Sequence, residues 1–209
     1  AAGAAVWMAE CAAELRQSGR TLIDRLDRIY ARHGYSYNHL TEIRLLGAAG
    51  MEQIRRIMDH LRRKPPEAFG DFGVQSKRDR WQGAPQPHLA ATDTASRDVL
   101  VFYLDPVPST SGMRVTVRPS GTEPKVKMYF EVLGRPCESN QLAEVKAEVR
   151  SIAERLEKSV MTACYHILGV DFPERGFLLF WQLPLSDKLR YFDIEDDIAA
   201  LQAKMVGQG

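Results

Sequence analysis

Charge of one sign is what this 209-residue sequence most lacks: its basic side chains outnumber its acidic ones by one, for a formal net charge of +1. No global basic field is present to recruit nucleic acid or an anionic membrane, so any recognition of anions has to be local. Cysteine is scarce as well. Cys11, Cys137 and Cys164 are an odd number without metal-ligand spacing, which reads as reduced thiols in a cytoplasmic chain and indicates no zinc site. The histidines His33, His39, His60, His88 and His166 are scattered without partners at ligand spacing and read as structural or exposed. No apolar run approaches the length of a membrane span. The opening AAGAAVWMAECAA is apolar, but it has no positive flank, carries Glu10 and runs into a polar amphipathic stretch, so a signal peptide is not expected. It starts inside a helical pattern with neither an initiator methionine nor a cap, and the expectation is a cut end.

What is present is enough apolar material, 44% of residues, for a proper core. Val6, Met8, Ala12 and Leu15 follow helical spacing over residues 2–17. Thr21 and Asp24 have capping-box spacing ahead of a second apolar stripe, Leu22, Leu26, Ile29 and Tyr30, which Gly34 would stop; residues 35–37 then read as a hinge. A short strand is expected from Leu40 through Ile43 to Leu45. A helix bearing Met51, Ile54, Ile57, Met58 and Leu61 follows, ended by Pro65 and Pro66, with the basic run Arg62, Arg63, Lys64 complementing its dipole. Further strands are expected over 74–80, 99–104, 113–118 and 125–133, with a loop over 81–97. A long helix begins near Ser139 or Asn140 and carries Leu142, Val145, Val149, Ile152, Leu156 and Val160 on one face. Strands and packed helices together indicate an α+β fold. Beyond Gly169 the sequence offers an apolar run, GFLLFWQLPL, and a helical pattern on Ile194, Ile198, Leu201 and Met205, both read as packing surfaces.

The most informative stretch is RVTVRPSGTEPKVKMYFEV, residues 114–132. Val115 and Val117 alternate with polar residues before a break, and Val126, Met128, Phe130 and Val132 alternate after it, so a polar loop joins two half-buried strands. The loop has the parts of an anion cradle. Amides of Ser120, Gly121 and Thr122 can converge on one oxyanion, two hydroxyls can donate to it, and Arg118 offers a planar fork, with Lys125 and Lys127 nearby. On chemistry alone an ordinary hairpin loop with solvated charges fits about equally well.

The string Arg118-Pro119-Ser120-Gly121-Thr122-Glu123-Pro124-Lys125 resembles the phosphate-binding loop in the last domain of the α-D-phosphohexomutases, the family of phosphoglucomutases and phosphomannomutases. VLVFYL, residues 99–104, resembles the strand that precedes that loop, and GRTLIDRLDRIYARHGY, residues 19–35, resembles the helical lead-in from the third domain to the fourth. The resemblance covers about residues 1–167. It implies an antiparallel sheet packed with helices, related to the TATA-binding-protein fold. It also implies three parts: residues 1–34 as the helical end of the preceding domain with a hinge, 35–169 as a phosphate-binding C-terminal domain, and 170–209 as an extension of unassigned role. Arg118 would clamp the phosphate that is not being transferred, Ser120, Gly121 and Thr122 would donate to it, Glu123 would orient the loop, and Lys125 and Lys127 would make secondary contacts. The implied partners are a hexose phosphate, a hexose bisphosphate and the preceding mutase domains, with no nucleic acid and no membrane. The implied cofactor is magnesium, with no ligands in this chain.

Other strings are decoys. Thr94-Ala95-Ser96 matches the start of the family's T-A-S-H-N-P serine loop, but Arg97-Asp98-Val99 follows where His-Asn-Pro should stand, and Ser96 reads as a loop serine. Asp71-Phe72-Gly73 spells a kinase motif without any companion motif and reads as a turn. The acidic run 193–197 has neither the family's magnesium-loop pattern nor EF-hand spacing and reads as a solvated helix start. With the serine and metal loops missing, the expectation is the C-terminal part of a phosphohexomutase, an isomerase, inactive alone. The alternative is a self-standing, non-catalytic module that binds phosphosugars or other anions.

Overall fold

In the computed structural model, residues 2–45, 47–81, 97–177 and 183–190 are described. They form the elements α1 (Ala2–Gln17), α2 (Leu22–His33), β1 (Ser36–Arg44), α3 (Gly47–Arg63), β2 (Ala68–Phe69), β3 (Phe72–Asp79), β4 (Leu100–Leu104), β5 (Thr110–Pro119), β6 (Lys125–Gly134) and α4 (Leu142–Ile167). Residues Ala1–Val170 make one compact unit and Asp171–Gly209 another. Ser96, His88, the acidic run 193–197 and the helical pattern from Ile194 to Met205 lie outside the described residues, as do residues 178–182 of the apolar run 176–185.

Six strands pair in the order β1-β6-β5-β4-β3-β2, every neighbour antiparallel. The fold is therefore α+β with an antiparallel sheet packed by helices. Alternation decides what each face does. Leu100, Phe102 and Leu104 of β4, Met113, Val115 and Val117 of β5, and Val126, Met128, Phe130 and Val132 of β6 share one core with α3 and α4. From the helices that core takes Ile54, Ile57, Met58 and Leu61 of α3, and Val149, Ile152, Leu156, Val160 and Cys164 of α4. Burial pushes the Cys164 thiol up to about 12, so it packs as a small apolar group and not as a nucleophile. The main helix contacts of the sheet are made by α3 and α4, on this face. The other parity, here the open face, carries mostly exposed or half-buried side chains among the described residues, although Val99 and Val101 on it are buried.

Strand β1 differs from its expected outline. It begins at Ser36, and its core-facing set is Tyr37, His39, Thr41 and Ile43, opposite Val132, Phe130, Met128 and Val126. Leu40 points the other way and is 47% exposed. The hinge expected at residues 35–37 is instead engaged in the sheet: the Gly134 N–H donates to the Tyr35 carbonyl at 2.8 Å, and Ser36 and Tyr37 pair with Leu133 and Val132.

Asp71-Phe72-Gly73 is not simply a turn. Gly70, at φ +57, turns the chain between β2 and β3, and Phe72 is a buried core residue that opens β3. The capping box at α2 is formed, with Asp24 N–H donating to Thr21 Oγ1 at 3.1 Å and Thr21 N–H to Asp24 Oδ2 at 2.7 Å. Asp24 is held below the usual carboxylate range chiefly by that backbone hydrogen bond. Gly34 stops the helix at φ +94 while its N–H donates to the Tyr30 carbonyl.

Candidate functional site

Register places the break. Val117 faces Met128, Arg118 faces Lys127 and Pro119 faces Val126, so the ladder runs one residue further than proline chemistry suggests, and the loop proper is residues 120–124. Two bonds close it: Ser120 N–H donates to the Lys125 carbonyl at 2.8 Å, and Leu45 N–H, just beyond β1, donates to the Pro124 carbonyl at 2.9 Å. The Ser120 amide is therefore spent on the loop itself. The open donors are the Ser120 hydroxyl, the Gly121 amide, and the Thr122 amide and hydroxyl, for which no protein partner is found among the described residues. Gly121 is not one of the positive-φ glycines, so its use in the loop is not one of backbone handedness.

Charge around the loop divides into spent and unspent. Lys125 is only 7% exposed, and its Nζ lies 2.6 Å from Glu123 Oε2 and 3.1 Å from Glu42 Oε2. Glu42 also accepts from Arg44 Nε at 2.5 Å, and Glu123 lies 3.9 Å from Arg44 Nη1. Lys125 holds the Glu123 carboxyl below its ordinary value; Arg44 and then Lys125 do the same for Glu42, while Glu123 and Glu42 raise the Lys125 ammonium. This four-charge knot ties the loop to the end of β1. Arg118 and Lys127 stand side by side on the open face, and neither has a carboxylate partner among the described residues.

A second network braces the same end of the sheet from the helix side. Arg62, near the end of α3, donates from Nε to Asp79 Oδ2 at 2.9 Å and from Nη2 to Asp98 Oδ1 at 2.5 Å, and its guanidinium lies over the Trp81 ring. Burial opposes its charge, but Asp98 and Asp79 outweigh that and raise its pKa. Nothing in the local sequence signals this triad, because its members lie 17 and 36 residues apart. His39 also has unforeseen company: its Nε2 is 3.0 Å from Thr41 Oγ1 and 3.3 Å from Glu157 of α4, which also accepts from Thr41. At the far end of the open face is a cavity of about 460 Å³ lined by Asn38, Gln75, Tyr103 and Leu133 with the ion-paired Arg114 and Glu131. With its charges compensated, that cavity has no particular claim on an anion.

Residues 107–152, which hold the loop, both flanking strands and the start of α4, match the family model described as phosphoglucomutase/phosphomannomutase, C-terminal domain. The chain carries the C-terminal domain of the phosphoglucomutase/phosphomannomutase family. Its relatives include a phosphopentomutase of Homo sapiens, 28% identical over 164 residues that span 74% of this chain and 25% of that protein. A phosphoglucomutase of Staphylococcus aureus strain N315 is 33% identical over 58% of this chain and 22% of its own length. A probable phosphomannomutase of Haemophilus influenzae is 32% identical over 71% of this chain and 27% of its own length. The chain thus spans about a quarter of the length of these relatives. Among the described residues no helix is long and apolar enough to cross a membrane.

Proposed function

We propose that this domain serves a cytoplasmic phosphohexomutase, and that its loop holds the phosphate group not being transferred. The observation that carries the reading is the Arg118 guanidinium, exposed and unpaired among the described residues, beside a loop whose Gly121 and Thr122 amides are open. A charged planar fork beside fixed amide donors is the arrangement that suits phosphate.

On this reading the longer enzyme passes a phosphoryl group from a phosphoserine elsewhere in the polypeptide to a hexose monophosphate. The bisphosphate turns around and the other phosphoryl group returns to the serine. The residues here make and break no bond. They fix one end of the ligand, so that remote binding energy positions the reacting oxygen at the other. Arg118 supplies two charge-assisted bonds in one plane, Ser120 donates through its hydroxyl, and Gly121 and Thr122 donate through their amides. Glu123 faces away from the ligand toward Lys125 and Arg44 and sets the loop's shape. Lys125, neutralised by two carboxylates, acts on the loop and not on the phosphate, whereas Lys127 is free to act on it. On this reading magnesium would be held by a segment of the longer enzyme outside this chain.

The test is the Arg118→Ala variant of the longer enzyme, measured as kcat/KM in a coupled assay. The expected loss is about 2–4 kcal/mol of transition-state stabilisation. A value within twofold of the parent, with the fold intact, would remove the loop from the mechanism. The 209-residue chain alone is expected to show no turnover of a hexose phosphate with magnesium.

A further inference from the structure

Two strands of the sheet slip in register, both at the end away from the loop. In β3 the slip falls between Val74, which pairs with Leu104, and Ser76, which pairs with Tyr103, so Gln75 is an extra residue. In β5 it falls between Thr110, opposite Gly134, and Gly112, opposite Leu133, so Ser111 is another. A bulge of this kind re-aims a side chain that regular alternation would send elsewhere. Val74 stays packed against the core and Thr110 stays fully buried, while Gln75 and Ser111 both line the cavity of about 460 Å³ on the open face, although β4 separates their strands. Tyr103 of β4 lies between them, half-buried, and the lining continues through Arg114 and Glu131 to Asn38 of β1. Gly112 adds a second observation. Its φ is not positive, and a Cβ there would meet nothing within 4 Å, so neither backbone handedness nor packing calls for glycine. What the missing side chain leaves is room in the cavity, which Gly112 lines.

We infer that this cavity is a binding site for an uncharged, hydroxyl-rich ligand, a sugar without phosphate. Charge argues against an anion: Arg114, the one cation among the described lining residues, donates from Nη2 to Glu131 Oε1 at 2.7 Å and is neutralised there. The same pair suits hydroxyls, because a guanidinium only donates and a carboxylate only accepts, whereas a sugar hydroxyl does both. The Gln75 amide and the Tyr103 hydroxyl have no hydrogen-bond partner among the described residues, and the Asn38 amide is engaged only through its nitrogen, to Ser36 Oγ at 3.2 Å. Together these groups offer donors and acceptors without net charge, and the Tyr103 ring offers an apolar face to the C–H groups of a sugar ring. The volume falls in the ordinary range for small-molecule sites, roughly 300–1,000 Å³. Gly112 is separated from Pro119, the last residue of β5 before the loop, by about 23 Å of extended strand. The ligand here is therefore a second molecule, distinct from the one whose phosphate the loop would hold, and the inference does not depend on how the loop is read. The residues bind and orient, and no bond is made or broken.

The experiment uses the 209-residue chain, titrated with glucose, maltose, cellobiose and glucose 6-phosphate and followed by amide chemical shifts. At least one of the neutral sugars is expected to move the amides of residues 74–76, 103 and 111–114 saturably while leaving 120–123 still. A disaccharide that binds more tightly than glucose assigns the site to a glycan, and one that binds no more tightly assigns it to a free monosaccharide. Gly112→Ala, which fills the cavity without backbone strain, and Gln75→Ala are each expected to weaken that sugar at least fivefold without loss of thermal stability. Neutral sugars that leave those amides unmoved, or binding that both variants leave within twofold, overturn the inference. So does glucose 6-phosphate moving residues 74–76 and 111–114 more strongly than glucose does, since the cavity would then select charge. The shifts of the unaltered chain decide the matter even should a variant not fold.

Discussion

At the scale of single residues, the contrast between Arg118 and Lys125 governs the site. Both belong to the string that suggested phosphate, and both lie on the polar side of their strands. Only the structure shows that Lys125 is consumed by Glu42, a residue 83 positions away in sequence. Periodicity gives a side chain's face, but its partners come from strand pairing that no local window contains. Arg118→Lys should recover part of the loss caused by Arg118→Ala, because a point charge cannot reproduce the fork, and kcat/KM of the longer enzyme reads this directly. Ser120→Ala and Thr122→Val should each cost about 1 kcal/mol in the same measurement. Lys125→Met should act through pH. Glu42 and Glu123 have depressed folded-state values, so their contribution to stability is present above the ordinary 4.5 and is lost as pH falls through those depressed values. Lys125 has a raised value, so its contribution is present below the ordinary 10.5 and is lost as pH rises through the raised value. The variant should be less stable than the parent at neutral pH, and the difference should shrink as pH falls below 4.5 through the depressed carboxyl values. Urea midpoints across that range check this; a difference independent of pH would mean the knot is not electrostatic.

At the scale of elements, the helices and the central strands were readable because their apolar periods are long and their ends are marked by Thr21, Gly34, Pro65 and Pro66. Strand β1 was read short because its core-facing residues include Tyr37, His39 and Thr41, which carry polar atoms, while its one early leucine faces solvent. Strand β2, two residues long, is below what any period can show. The junction of α2 with β1 depends on Gly34 twice over: its φ of +94 is unfavourable for other residues, and a Cβ there would collide with the Gly134 carbonyl oxygen. Gly34→Ala should therefore destabilise by more than the roughly 1 kcal/mol typical of a lost helix stop, and should displace β1 against the end of β6. Thr21→Ala should cost about 1 kcal/mol and fray only the start of α2. Thermal melts rank the two, and equal effects would show that Gly34 is not a tight contact.

At the scale of the molecule, the shared core draws on β1 to β6, α3 and α4, while α1 and α2 stay outside it. These first helices are fastened by fewer ties: Lys146 to Asp27 at 2.5 Å, Cys137 N–H to the Ala31 carbonyl at 2.9 Å, and the edge-on rings of Tyr30 and Tyr35. Phe102, fully buried and edge-on to Phe69, sits within the core. Phe102→Ala should lower global stability by about 3–5 kcal/mol. Leu15→Ala, at a buried position of α1, should speed amide exchange in α1 and α2 and leave that of β4 to β6 unchanged. Exchange that rises equally everywhere would show that the first two helices unfold with the sheet.

Because core-facing and outward-facing side chains alternate along each strand, the chain responds very differently to two kinds of genetic change. Point substitutions at Arg78, Arg80, Thr116 or Lys127 can retune what the bare side of the sheet attracts while the neighbouring valines and phenylalanines stay in place. A single-residue insertion inside β5 would exchange the two sets at a stroke, turning Val117 toward water and Arg118 toward Phe102 and Phe130. Divergence in ligand preference among chains built this way should be carried by substitutions within the strands, and changes in length should be confined to the connections between them.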